Sequence, residues 1–135
     1  MRFVLAIPLV AVVMVVYTAL AIDPNFSAGS AFADWTLPSG ADFFLTFGDL
    51  FVIVGLVALF FEVIKSARPN AGTIIDHMLS TATLIVAVIV FLLVPAFGTA
   101  AFLLLTLMSL VDVVAGFTVS ILAARRDVSI GDDRI

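Results

Sequence analysis

Five side chains combine proton-carrying or hydrogen-bonding chemistry with apolar surroundings: Asp49, Asp76, His77, Ser109 and Asp112. Ionisable groups at membrane depth are costly, so each is a candidate for function. Asp112 is the deepest. It falls near the middle of an apolar run from Thr99 to Ala124, about 18–20 Å along a helix axis from either end. Thr106, Ser109, Asp112, Gly116 and Ser120 share a stripe about 120° wide on that helix. Such a stripe is expected to face protein, not lipid. Two chemistries fit it. Asp112 is either a neutral acid that glues helices together by hydrogen bonds or a carboxylate that carries protons or cations. No lysine or arginine of the chain lies deep enough to neutralise it directly.

Asp49 is placed about two turns inside a second apolar run, with Thr46 on its face at i−3. Gly48, Gly55 and Glu62 form a separate stripe at seven-residue spacing, and the glycines read as a close-packing seam. Gly116 is the corresponding small residue of the Asp112 stripe. Glu62 is expected to pair with Lys65 at i+3 near the helix end. Asp76 and His77 open a third helix. Asp76 suits a cap at the positive end of the helix dipole. His77 shares a face with Ser80 and Thr73. A path for protons from this pair through Ser80 and Thr83 toward Asp112 is the functional alternative, since histidine titrates near neutrality.

The elements that must position these residues follow from composition. Of 135 residues, 64% are hydrophobic and 12% charged, about half the charged share of a soluble domain. Mean hydropathy is +1.32. A soluble core of this size cannot bury so much apolar side chain, which excludes soluble enzymes, DNA-binding domains and disordered tails. Four runs are long enough to cross a bilayer: Phe3–Ile22, Asp42–Lys65, Ile74–Val94 and Thr99–Ala124. They must be helices, because lipid offers no partner to free backbone groups. The expected fold is an all-α integral membrane protein, a single domain forming a four-transmembrane-helix antiparallel bundle. Ser39–Asp42 and Thr73–Asp76 read as capping boxes for the second and third helices. Pro69 and Asn70 break the chain between those helices. Pro95–Gly98 is so short that helices three and four must be antiparallel neighbours. Ala19-Leu20-Ala21 resembles a signal-peptidase site, but the preceding apolar run is longer than a signal peptide needs, so retention as a helix is expected.

The six basic residues set the orientation. Arg2, Lys65, Arg68, Arg125, Arg126 and Arg134 all fall on one side of a four-pass topology, and none lies in 23–41 or 95–98. Both termini are therefore expected on the cytoplasmic side, in a membrane of the bacterial cytoplasmic type. Segment 23–41 is then an outer interfacial element with Trp35 at headgroup depth. Residues 125–135 are a short tail, with Arg125 and Arg126 at anionic headgroups and Asp132-Asp133 solvated.

There is no cysteine and one histidine, so thiolate, Fe–S and His-rich metal sites are excluded, and no cofactor is expected. A net charge of −4 without a basic cluster argues against nucleic acid. The chain has no G-x-S-x-G, H-E-x-x-H, glycine-rich phosphate loop or acidic Mg²⁺ cluster, so catalysis is not the expectation. Three function classes fit. The first is a non-catalytic accessory or oligomer-forming membrane component, with lipid, other subunits or itself as partners. The second is a proton- or cation-coupled transporter or channel element centred on Asp112. The third binds a lipid, quinone or other apolar ligand between helices.

Overall fold

The computed structural model describes residues 7–66 and 73–132. Its elements are α1 (Leu9–Ala21), β1 (Ala31–Thr36), β2 (Asp42–Thr46), α2 (Phe47–Ser66), α3 (Thr73–Leu93), a 3-10 turn (Pro95–Phe97) and α4 (Ala100–Asp132). Three helices are long and apolar enough to cross a membrane: Phe47–Ser66, Ile75–Leu93 and Ala100–Leu122. The fourth, α1, has 13 residues, about 20 Å of helix and shorter than a hydrocarbon core. Its expected start at Phe3 lies outside the described residues, as do Arg2, Arg68, Pro69, Asn70, Asp133 and Arg134. The described chain is thus mostly helical, with a plausible bundle of four helices of which three have spanning length.

The helices alternate in direction. Gly48 at the start of α2 lies against Ala101 at the start of α4, and Gly55 lies against Leu105 and Met108 further along, so α2 and α4 run parallel. Ser80 of α3 meets Asp112 and His77 meets Ser120, which makes α3 antiparallel to α4. Tyr17 near the end of α1 meets Thr99, and Leu9 at its start meets Glu62, so α1 also opposes α2 and α4. Helix α4 packs against all three others. The expected α3–α4 hairpin is present, closed by Pro95–Phe97.

Side chains are sorted in the sense that lipid favours. Glu62, Ser66, Asp76, Ser80, Thr106, Ser109 and Asp112 are buried, whereas Val15, Leu56, Leu92 and Leu93 point outward. Where helices meet in lipid they have no apolar gain between them, and close approach and hydrogen bonds would hold such a bundle. Gly55 shows the first device. A Cβ there would come within 2.5 Å of Leu105 Cδ2 and 3.1 Å of Met108 Sδ. At Gly48 a Cβ would sit 3.0 Å from Ala101 Cβ and 3.1 Å from the Ala28 carbonyl oxygen. At both glycines a side chain would crowd what lies against it.

Three expectations need correction. The second helix does not begin at Asp42. Residues 42–46 are β2, paired antiparallel with β1, with Trp35 opposite Phe43 and Thr36 opposite Asp42. The supposed capping box at Ser39–Asp42 is the hairpin turn. Gly40 takes φ +83°, a conformation natural to glycine, and its N–H donates to the Leu37 carbonyl at 2.8 Å. The outer 23–41 segment therefore contains β1 and the turn of this hairpin. The real box lies four residues beyond Asp42. Thr46 N–H donates to Asp49 Oδ2 at 3.0 Å, and Asp49 N–H donates to Thr46 Oγ1 at 3.1 Å. Finally, α4 does not stop at Ala124 but continues to Asp132. The Ala123-Ala124-Arg125-Arg126 sequence has high helix propensity and no breaker before Gly131, so the expected tail is helical as far as Asp132.

Candidate functional site: a buried polar cluster at one end of the bundle

The cluster begins where α1 starts. Pro8 precedes the first turn and takes an extended conformation. The first N–H groups of a helix have no partner within it. The Leu9 N–H donates to Glu62 Oε2 at 2.6 Å, reaching from α1 to α2. Glu62 is 1% exposed. Its other oxygen, Oε1, lies 2.6 Å from Lys65 Nζ, so the expected i+3 ion pair forms, in a far more enclosed place than a helix end suggests. Lys65 also donates to Asp76 Oδ1 at 3.0 Å and reaches the Ile7 carbonyl oxygen at 3.4 Å. One ammonium thereby ties the entry of α1, the end of α2 and the first turn of α3. The negative charge of Glu62 at the α1 N-terminus is also favoured by the helix dipole.

One turn further along α3, the Ser80 hydroxyl donates to Asp112 Oδ2 at 2.7 Å. Asp112 is 6% exposed and Ser80 is buried with it. The stripe of α4 thus faces protein as expected, and the partner of Asp112 is on another helix. Ser109 is buried one turn before Asp112, and the Thr106 hydroxyl donates to the Phe102 carbonyl inside α4.

His77 reaches α4 on the same side. Its Nε2 lies 3.1 Å from Ser120 Oγ. The Ser120 hydroxyl donates to the Gly116 carbonyl at 3.0 Å, which leaves its oxygen to accept from a protonated Nε2. The imidazole lies over Phe117, with ring centres 5.9 Å apart and planes 29° from parallel. Gly116 makes this possible, since a Cβ there would overlap the imidazole ring. Gly116 is therefore a slot for the His77 ring, as Gly55 is for the Leu105 side chain.

The structure brings together four of the five expected polar residues, namely Asp76, His77, Ser109 and Asp112, and sets Asp49 apart. Asp49 is an exposed cap in the first turn of α2, at the opposite end of the bundle, not a carboxylate two turns inside it. Thr83 does not continue the path through Ser80, because its hydroxyl donates to the Leu79 carbonyl of its own helix. Asp76 pairs with Lys65, and the side chain of its expected capping partner Thr73 lies outside those described.

Sequence reasoning missed two features. One is the bond from Glu62 to α1, whose only signal was Pro8 inside an apolar run. The other is Tyr17, the sole tyrosine. Its hydroxyl lies 2.9 Å from Thr99 Oγ1, and its ring packs edge-on against Phe51 with centres 5.3 Å apart. Beside it opens a cleft of about 420 Å³ between Tyr17, Phe26, Ala28, Ala96 and Thr99. Among the described residues no group of three or more His, Asp or Glu is placed to hold a metal ion. What the buried cluster can do chemically is hold or pass charge: it joins carboxyls, an ammonium, an imidazole and hydroxyls across three helices.

No protein-family model matches the chain, and neither the curated proteins nor the solved structures compared with it yield a match. The class defined by fold and composition is a small helical protein with three helices of membrane-spanning length.

Proposed function

We propose that the chain is a small polytopic membrane protein acting as a non-catalytic accessory or oligomer-forming component of a membrane assembly. The observation that carries this reading is how the buried polar groups are spent. Lys65 ties α2 to α3, Glu62 ties α2 to α1, and Ser80–Asp112 and His77–Ser120 tie α3 to α4. Each contact locks one helix to another, and the outward faces are left apolar for lipid, another subunit or a second copy. The described basic residues support one orientation. Lys65 ends α2 and Arg125 follows the apolar part of the parallel α4, so both lie at one end of the bundle. That end is the cytoplasmic side by the positive-inside rule. Cysteines replacing Ser30 and Ser129 test this in intact cells, because the chain has no native cysteine. Only the Ser30→Cys variant should label from outside. Labelling of Ser129→Cys alone reverses the assignment.

A second reading has its own support. Glu62, Asp76 and Asp112 are three buried carboxyls, and among the described residues one ammonium, Lys65, serves the cluster. Surplus carboxyl groups in a dry interior are what a proton- or cation-coupled element needs. Asp112→Asn separates the two readings. It keeps the shape and an acceptor for Ser80 but cannot titrate. The accessory reading expects unchanged folding and no change in ion or proton flux in reconstituted vesicles. Loss of a pH-dependent flux present in the parent would replace it with the transport reading.

A further inference from the structure

The hairpin formed by β1 and β2 is the least explained part of the molecule. It has two strands, and among the described residues no third strand pairs with it. A lone two-stranded hairpin is marginal in water and needs a surface on which to rest an apolar face. This one carries Phe32, Trp35, Leu37, Phe43 and Phe44, and all five are exposed, Trp35 at 49% and Phe44 at 64%. Trp35 and Phe43 face each other across the strands, with ring centres 4.9 Å apart. Phe32 is the extra residue of a bulge between Ala31 and Ala33, and its ring packs on Phe47, the first residue of α2, at 5.4 Å. The base of the hairpin is thus fastened to the start of a spanning-length helix, while its aromatic residues remain uncovered.

We infer that this hairpin lies flat in the headgroup layer of the membrane, with the face that carries Ala33, Trp35, Phe43 and Leu45 turned to the lipid and the face that carries Asp34, Asp42 and Phe44 turned to water. The inference rests on the reading that α2, α3 and α4 cross a bilayer. Chain continuity then names the occupant. Thr46 runs into Phe47 without an intervening loop, and the Thr46–Asp49 capping box locks the junction. Phe43 is four residues from Phe47, at most about 13 Å at ~3.3 Å per residue. The headgroup layer is only about 5–8 Å thick on each side, so an upright hairpin would carry the aromatics out into water. Lying flat, it places amphipathic rings where they are most favourable. The charge pattern narrows the lipid. Residues 23–46 contain Asp23, Asp34 and Asp42 and no lysine or arginine, so anionic headgroups add no attraction and a zwitterionic surface suffices.

Trp35 is the only tryptophan of the chain, so its fluorescence reports this one place. The full-length protein is reconstituted into phosphatidylcholine vesicles, and retention after an alkaline wash is measured alongside emission. Expected are retention, blue-shifted emission, strong quenching by lipids brominated at the shallowest acyl positions, and weak quenching by aqueous acrylamide. Replacing part of the phosphatidylcholine with phosphatidylglycerol should not increase the blue shift. Phe43→Ser keeps the reporter and puts a polar group on the same face, and it should shift emission to the red and raise acrylamide quenching without changing helix content. Retained protein whose Trp35 is quenched by acrylamide as freely as tryptophan in water would overturn the hairpin inference alone. A Trp35 shielded from both brominated lipid and acrylamide would also overturn it, because protein then covers the hairpin. Loss of the protein in the alkaline wash would overturn the spanning reading and this inference together.

Discussion

The two ends of the bundle are held by opposite means. At the end where α1 and α3 begin, Lys65, Glu62, Asp76, His77 and Ser120 link helices through charge and directed hydrogen bonds. At the other end, Tyr17 stands between Phe26, Phe51 and Phe102, and a single hydroxyl pair, Tyr17–Thr99, supplies direction. Buried charges lose heavily when one partner goes, because the other is left uncompensated. Aromatic contacts lose in proportion to what is removed. The polar end should therefore fail abruptly under substitution and the aromatic end gradually.

Lys65→Met is the sharpest way to break that contrast. It leaves Glu62 and Asp76 buried without their cation, and the expected loss is about 3–5 kcal/mol, read as thermal unfolding in detergent. Adding Glu62→Gln to Lys65→Met should recover part of it. A Lys65→Met protein as stable as the parent would show that the ion cluster holds nothing together.

Next come the two glycines that admit different side chains, His77 at Gly116 and Leu105 at Gly55. Gly116→Val should expel the imidazole of His77 from its slot and break the bond to Ser120, and Gly55→Leu should push α2 off Leu105 and Met108. Overpacking of either kind is expected to cost about 1–3 kcal/mol. The contrast is sharpened by His77→Ala in the Gly116→Val background, which should relieve the strain there. His77→Ala should do nothing for Gly55→Leu. Equal rescue of both would deny that Gly116 is specific to His77.

The smallest expected effect belongs to the aromatic end. Tyr17→Phe keeps the ring contacts and removes the bond to Thr99, at about 0.5–1.5 kcal/mol. A loss as large as that of Lys65→Met would erase the difference between the ends.

Much of this arrangement was legible in the residues. An apolar run that meets lipid can satisfy its backbone only as a helix, so α3, the α3–α4 turn and the inner half of α4 follow from local pattern. The i+3 spacing of Glu62 and Lys65 announced their pairing, and the polar stripe through Asp112 announced its inward face. Segment 42–46 was not legible in the same way. Asp-Phe-Phe-Leu-Thr continues an apolar run and fits either period, and only pairing with 31–36 makes it a strand. Asp49 followed that error, since moving the start of α2 to Phe47 turned a carboxylate within the helix into its cap.

The sequence by itself determined that the apolar stretches of α2, α3 and α4 are helical, which face of α4 turns inward and which residues carry charge in an apolar setting. Those are consequences of 3.6-residue periodicity and of the cost of exposing polar backbone to lipid, and neither needs a partner to be known. The tertiary structure decided that Ser80 answers Asp112, that Lys65 joins three segments, that Glu62 receives the first N–H of α1, and that Gly116 admits an imidazole. Each of these is a meeting between groups far apart in the chain. Its energy depends on a distance of a few ångströms set by how the helices cross, and that distance is written in no single segment.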